Sequence, residues 1–213
     1  MKISYAITVC NEIEEIKELL EFLKRKIRDD DEIVVQYDEG SVTKKVLRYI
    51  HRTQTQENIR GRIKVKVIGF PLNGHFANFK NNLKENCNGD YIFQIDADEL
   101  PNIVLLQNLP RIFEANPDNE VFLVPRVNTV KGLTNEHISK WNWRLNDEGW
   151  VNWPDYQWRI WKNTKQIKWI NKVHEKLDGY STFSNLPDTE EWVLYHHKEI
   201  KRQEKQNEYY NSL

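Results

Sequence analysis

The apolar run Tyr91-Ile92-Phe93-Gln94-Ile95 leads directly into Asp96-Ala97-Asp98-Glu99, which places three carboxylates within four positions at the tip of a β-like segment. Such a tip is costly without a partner. A strand that delivers Asp-x-Asp to its C-terminal end sets acidic oxygens at the rim of an α/β sheet, where ligands bind in the crevice beyond the strand ends. Hard oxygen donors suit Mg²⁺ or Mn²⁺, and such an ion usually also holds substrate phosphates. The stretch therefore predicts a metal and diphosphate site.

The preceding residues supply a sheet for that tip. Ile3 to Val9 reads as a buried strand, and Ile13, Ile16, Leu19, Leu20, Leu23 and Ile27 then recur at helical spacing, with Asn11 as the expected N-cap. Asp29-Asp30-Asp31 breaks that helix. A strand over Glu32 to Tyr37, a helix carrying Val42, Val46, Leu47 and Ile50, and a strand over Ile63 to Ile68 follow. After the turn signal Pro71-Leu72-Asn73-Gly74, a helix from Phe76 to Cys87 feeds the acidic-tipped strand. A further helix (Asn102 to Ala115) and strand (Val121 to Val127) complete the alternation. Repeated β-α-β order predicts an α/β fold with a mostly parallel central sheet flanked by helices.

Beyond that point the composition changes. All eight tryptophans lie between Trp141 and Trp192. Some seal a loop-rich region against the sheet, but indole faces also stack on the C–H faces of sugars while the N–H donates to hydroxyls. A groove lined by some of Trp141, Trp143, Trp150 and Trp153 is therefore expected to bind an acceptor. The chain divides into residues 1–127, an α/β part, and 128–213, a tryptophan-rich part ending in a charged, solvated helix from Lys198, all within one continuous domain.

Composition removes several classes. The 31 basic and 32 acidic side chains among 213 residues leave a net charge of -1, so no overall field recruits nucleic acid or an anionic membrane. Cys10 and Cys87 are too few for a disulfide framework, which fits a reducing, cytoplasmic setting. No uninterrupted apolar run approaches the ~18 residues of a spanning helix. A soluble chain is expected, with further domains allowed in a longer protein.

Four blocks in order resemble the GT-A glycosyltransferases of the large inverting family 2. They are Ile3 to Glu12, Val34 to Ser41 with its acid pair Asp38-Glu39, His75 to Asn81, and Gly89-Asp90 with the Asp96-Ala97-Asp98-Glu99 tip. Arg159-Ile160-Trp161, His174-Glu175 and His196 are similar to an Arg, a His-Glu pair and a later His in bacterial lipopolysaccharide-core sugar transferases of that family. The resemblance implies a GT-A fold and transfer of a hexose or deoxyhexose from a nucleotide-diphosphate sugar, with UDP favoured, to a glycan or glycoprotein acceptor, with inversion and with Mn²⁺ or Mg²⁺ as cofactor. It places Asp98 on the metal, and Asp96 on the metal through water or on the ribose. Thr8, Val9, Asn11, Glu12 and Asp38 fall at base and ribose positions, with Asp38 accepting the uracil N3–H and Tyr37 stacking on the base. Lys80, where Arg is common, would meet the diphosphate, and Arg159 would either bind the diphosphate or orient a carboxylate. Either Asp155 or Glu175 would be the general base, with family order tilting toward Asp155, and His174 or His196 would complete the metal shell. Glu99 either joins the site or caps the helix after Pro101.

Other classes fit less well. A dehalogenase-type phosphatase carries Asp-x-Asp on an early strand, whereas three strands precede it here. A sugar nucleotidyltransferase needs a Gly-rich basic loop where Cys10-Asn11-Glu12-Ile13-Glu14-Glu15 is acidic. The runner-up is an inactive module of the same fold that binds a glycan or nucleotide sugar.

Overall fold

The computed structural model describes residues 1–55 and 64–211. Its first half follows the predicted alternation: β1 (Ile3–Val9), α1 (Ile13–Lys26), β2 (Glu32–Asp38), α2 (Lys44–Thr55), β3 (Lys64–Phe70), α3 (Phe76–Glu85) and β4 (Tyr91–Asp96). Ile63, the expected start of the third strand, lies outside the described residues. Strands β3, β2, β1 and β4 are adjacent and parallel in that order. Their C-terminal ends therefore share one edge, and Thr8 on β1 is in register with Asp96 on β4.

The rest of the sheet is mixed. After β5 (Glu99–Pro101) and α4 (Ile103–Ala115) come β6 (Val121–Lys131), α5 (Asn135–Trp141), β7 (Asp155–Lys162), the pair β8 (Lys168–Ile170) and β9 (Lys176–Asp178), β10 (Phe183–Asn185), β11 (Leu194–Glu199) and α6 (Ile200–Asn211). β7 inserts antiparallel between β4 and β6, β11 runs parallel to β6, and β5 pairs antiparallel with β11. The sheet is thus parallel through β4 and mixed beyond it, and β6 runs straight through residue 127.

Two apolar layers cover the sheet. Leu19, Leu20 and Leu23 of α1 and Leu105 and Leu109 of α4 pack on Ile3, Ile7, Ile33 and Phe93. On the opposite face Ala77 and Leu83 of α3 meet Ile92, Trp161 and Trp169. Trp161 and Trp169 are core residues whose rings meet edge to face at 5.6 Å.

Several local expectations change. α1 begins after Glu12 rather than Asn11, and its flanking residue makes no side-chain cap; instead Glu12 Oε2 accepts from the amides of Cys10 and Asn11 at 2.8 and 3.0 Å. α4 is capped by Asn102, whose side chain accepts from the Val104 amide at 2.8 Å, so Glu99 is not the cap. Lys198 and Glu199 belong to β11, and the last helix starts at Ile200. That helix is not merely solvated, because Arg202 reaches back to Glu12 and Glu15 at 2.8 and 3.0 Å.

Candidate active site

A cleft of about 1550 Å³ opens at the C-terminal ends of β1, β2 and β4. The residues expected to touch donor or metal all line it except Tyr37, and of the two candidate bases Glu175 lines it and Asp155 does not. Tyr37 turns instead to His51 on α2, ring to ring at 5.9 Å, so the expected base-stacking partner is engaged elsewhere. Trp141, Trp143, Trp150 and Trp153 pack as two local pairs, each at 4.7 Å, away from the cleft lining. The tryptophans that do line it are Trp158 and Trp169.

The turn from β4 to β5 builds the acidic tip, and the two aspartates differ. Thr8 Oγ1 donates to Asp96 Oδ1 at 2.8 Å, and Arg159 Nη2 donates to Asp96 Oδ2 at 2.7 Å, so both oxygens are occupied. Burial opposes ionisation of Asp96, but Arg159 and Lys80 outweigh it and hold the carboxyl far below the usual range. Asp98 directs Oδ2 at His196 Nε2, 3.3 Å away, and at Arg202 Nη2, 3.2 Å away. Burial again pushes upward, and His196 and Arg202 prevail, drawing Asp98 down to about 2. Asp96 thus serves as a fixed anion, and Asp98 remains as the carboxylate that can accept a cation.

Glu99 lies under both, 1% exposed. Its Oε1 takes Arg159 Nη2 at 2.5 Å and Arg126 Nη1 at 3.0 Å, while Oε2 accepts from the Asp96 amide at 3.1 Å. One buried carboxylate thereby ties the turn to two arginines from β7 and β6. Burial works against the charge on Arg159, and Asp96 and Glu99 more than offset it. Such a network is retained only when every charge in it is paired.

Asp155 sits one strand over, opposite Arg126 in the ladder. Its Oδ2 accepts from Arg126 Nη2 at 2.7 Å and from Asn128 Nδ2 at 2.8 Å, and its Oδ1 accepts from Gln157 Nε2 at 2.7 Å. Burial raises its pKa, but Arg126 and these donors hold it below the ordinary value. Glu175 instead faces Lys80, with Oε1 at 2.5 Å from Nζ, and that ammonium also lies 4.5 Å over the Trp169 ring. Asp38 is gripped by the Leu72 and Gly40 amides on Oδ1, at 2.9 and 3.1 Å, and by the Ser41 hydroxyl on Oδ2. It holds the loops after β2 and β3 together, and Oδ2 keeps room for a further donor.

The donor set fits a divalent cation in part. His196 stands in register with Asn128 on β6 and Glu99 on β5. Its Nδ1 is 2.7 Å from Asn128 Oδ1 while its Nε2 faces Asp98. An acceptor on each side of an imidazole leaves one contact unsatisfied unless a second positive centre is present. A cation between Nε2 and Asp98 would satisfy both. Among the described residues no group of three or more His, Cys, Asp or Glu side chains is arranged to hold a metal, so His174 does not join this pair, and a cation there would draw its other ligands from substrate and water.

Residues 4–190 match the family model described as Glycosyl transferase family 2. The chain belongs to that family. Solved structures agree on the fold. S. aureus TarS 1–349 in complex with UDP-GlcNAc superposes with a TM-score of 0.65 at 18% identity over 93% of this chain and 59% of that one. The same fragment in complex with UDP gives 0.62 at 16% identity, covering 92% and 60%, and TarS itself gives 0.59 at 16% identity, covering 92% and 37%. The chain therefore spans about three fifths of the TarS fragment. No curated protein matches it. No helix among the described residues is long and apolar enough to cross a membrane.

Sequence reasoning missed Arg126, Asn128 and Arg202. Arg126 and Asn128 carried a signal, being polar residues two apart at the end of the apolar run Val121 to Val127, and hence on one face of β6. Arg202 carried none, because a basic residue in a charged helix looks like any solvated one.

Proposed function

We propose that this glycosyltransferase moves a sugar from a UDP-sugar to a hydroxyl of a glycan acceptor, with inversion at the anomeric carbon. The observation that carries this reading is the Asp98–His196 pair, set at the edge of the parallel strands in a cleft that also presents Lys80, Arg159 and Asp38. TarS, which shares the fold, is seen with UDP-GlcNAc and with UDP, and that favours a uridine donor.

Asp98 and His196 would hold Mn²⁺ or Mg²⁺, which as a Lewis acid neutralises charge on the departing diphosphate. Asp38 Oδ2 would accept the uracil N3–H. The strand ends around Thr8 and Val9 would shape the nucleoside pocket, with Asn11 at its rim. Glu12 serves by clasping the first turn and Arg202. Arg159 holds Asp96 and Glu99 through Nη2, which fixes Asp96 toward the donor. Lys80 is released from Glu175 when the diphosphate draws it, which leaves Glu175 ionised and unpaired beside the acceptor. Glu175 then removes the acceptor proton, the acceptor oxygen bonds to the anomeric carbon, and the bond from that carbon to the diphosphate oxygen breaks. Glu175 is preferred to Asp155 as base because it lines the cleft and is held by a single cation, whereas several donors restrain Asp155.

UDP-, dTDP- and GDP-sugars, each with Mn²⁺ or EDTA, test this by nucleoside-diphosphate release. Metal-dependent release from a UDP-sugar is expected, with a loss of at least ~10³-fold in Asp98→Ala and ~10²–10⁴-fold in Glu175→Gln, the latter with UDP binding retained. Turnover that survives Asp98→Ala would sink the metal assignment, and an Asp155→Asn loss exceeding that of Glu175→Gln would move the base to Asp155. Binding of UDP without release from any donor would favour the inactive binding module.

A further inference from the structure

Helix α6 begins with cations where its own backbone disfavours them. Lys201 and Arg202 occupy its first turn, which holds no acidic residue, although the partial positive charge of a helix N-terminus favours the opposite sign. Arg202 is therefore suited to partners outside its helix, and it has three. Nη1 donates to Glu15 Oε1 at 3.0 Å, while Nη2 donates to Glu12 Oε1 at 2.8 Å and lies 3.2 Å from Asp98 Oδ2.

Those carboxylates come from two places. Glu12 and Glu15 stand three residues apart at the start of α1, hence on one side of it, and Asp98 stands on the turn after β4. Brought to one point, the three anions repel one another unless a cation sits among them. A guanidinium presents its N–H groups as a planar fork and can meet all three, whereas an ammonium is a point charge. The side chains of Glu12 and Asp98 are 15% and 13% exposed against 41% for Glu15, so the contact to Glu15 is the one that water weakens most.

Glu12 carries the contact further. Its other oxygen, Oε2, accepts from the amides of Cys10 and Asn11 at 2.8 and 3.0 Å. One carboxylate thus joins α6 to the turn between β1 and α1, at the cleft that Glu12 and Arg202 both line. We infer that Arg202 is a positioning residue that docks α6 on α1 and, through Glu12, sets the β1–α1 turn for the nucleoside. The contacts to α1 do not involve Asp98, so the tie to the turn stands whether or not that carboxylate holds an ion. The consequence for the nucleoside rests on the donor reading above; the tie itself does not.

The test uses uridine, which carries base and ribose but no phosphate, without divalent metal, so that neither Asp98 nor a diphosphate enters the result. Uridine affinity is read by ¹H–¹⁵N titration, and hydrogen exchange of the Cys10 and Asn11 amides is followed in the uridine-free protein. Arg202→Met keeps an unbranched side chain and loses the charge. It should weaken uridine binding ~3–10-fold and speed exchange at both amides by a similar factor, while the melting temperature falls by no more than ~4 °C. Arg202→Lys should recover part of both effects, because it restores the charge without the fork. A packing role would make the two variants alike. In a Glu12→Gln background, Arg202→Met should change uridine affinity less than about 2-fold, since the route to the turn is already cut.

Uridine affinity and amide exchange in Arg202→Met that match wild type, equal effects of the methionine and lysine variants, or the full loss in the Glu12→Gln background each overturn the inference. If wild type binds no uridine, the donor reading fails, and exchange at Cys10 and Asn11 in the Arg202 variants still decides whether this residue holds the turn.

Discussion

Strands β1, β2 and β4 are held against their helices chiefly by hydrocarbon, from Ile3, Ile7, Ile33, Val35 and Phe93, whereas β6, β7 and β11 bring Arg159 and His196 into the interior with Arg126 and Asn128 beside them. The first region can exchange one apolar side chain for another and keep its shape, because burial is non-directional. The second cannot, because each charge there requires a particular partner at hydrogen-bond distance. The difference teaches where geometry is specified: the parallel half provides an edge, and the mixed half fixes what stands on it.

The sharpest way to break that comparison is Glu99→Ala. This removes the acceptor shared by Arg126, Arg159 and the Asp96 amide, leaving buried guanidinium charge undercompensated. Loss of one partner from a buried pair costs about 3–5 kcal/mol. Urea unfolding should show a deficit of that size, and UDP affinity should fall as well because the turn carrying Asp96 and Asp98 loses its anchor. A deficit under ~1 kcal/mol with unchanged UDP binding would mean that the charged network is not the frame of the site.

Leu20→Ala probes the other region. Leu20 of α1 is fully buried in the first apolar layer, and truncations of this kind cost ~2–5 kcal/mol. The stability loss approaches that of Glu99→Ala, but UDP affinity in the folded protein should stay at the wild-type value. A parallel fall in affinity would erase the distinction between the regions.

The same distinction explains what the sequence revealed. Local periodicity showed β1 through β4 and their helices because each apolar stripe repeats at 2 or 3.6 residues, and the four family blocks lie on β1, β2 and β4 with their flanking turns and on the start of α3. The antiparallel return of β7 was not legible: Asp155 to Lys162 joins the sheet by pairing with strands far away in sequence, and nothing local in Tyr156-Gln157-Trp158-Arg159 announces its neighbours. The site followed the same rule. Asp98 was readable from its own strand tip, whereas the partners of Glu99, Asp155 and Lys80 lie 27, 29 and 95 positions away. Tryptophan density misled for a related reason. It marks a region that needs large side chains, and only the fold assigned Trp161 to the core, Trp158 to the cleft and Trp169 to the boundary between them.

The smallest expected effect refines the comparison, because the parallel half has one polar clasp of its own. Glu32, at the start of β2, accepts from Lys2 Nζ and Ser4 Oγ at 2.6 Å each and from the Asn88 amide at 2.5 Å, joining β1, β2 and the approach to β4 at the end opposite the cleft. Burial raises its pKa, but the Lys2 ammonium and the other donors prevail and leave it below the ordinary 4.5. A carboxyl whose folded value lies below its unfolded one contributes stability that is fully present above the unfolded value and is lost as pH falls through the folded one. Glu32→Gln should therefore be less stable than wild type at neutral pH, by no more than ~1 kcal/mol for a clasp this near solvent. The gap should close on acidification below about pH 4, and UDP binding at neutral pH should not change. A gap that persists undiminished in acid would mean that the contribution of Glu32 is packing rather than charge, making the clasp one more apolar contact in a region already governed by them.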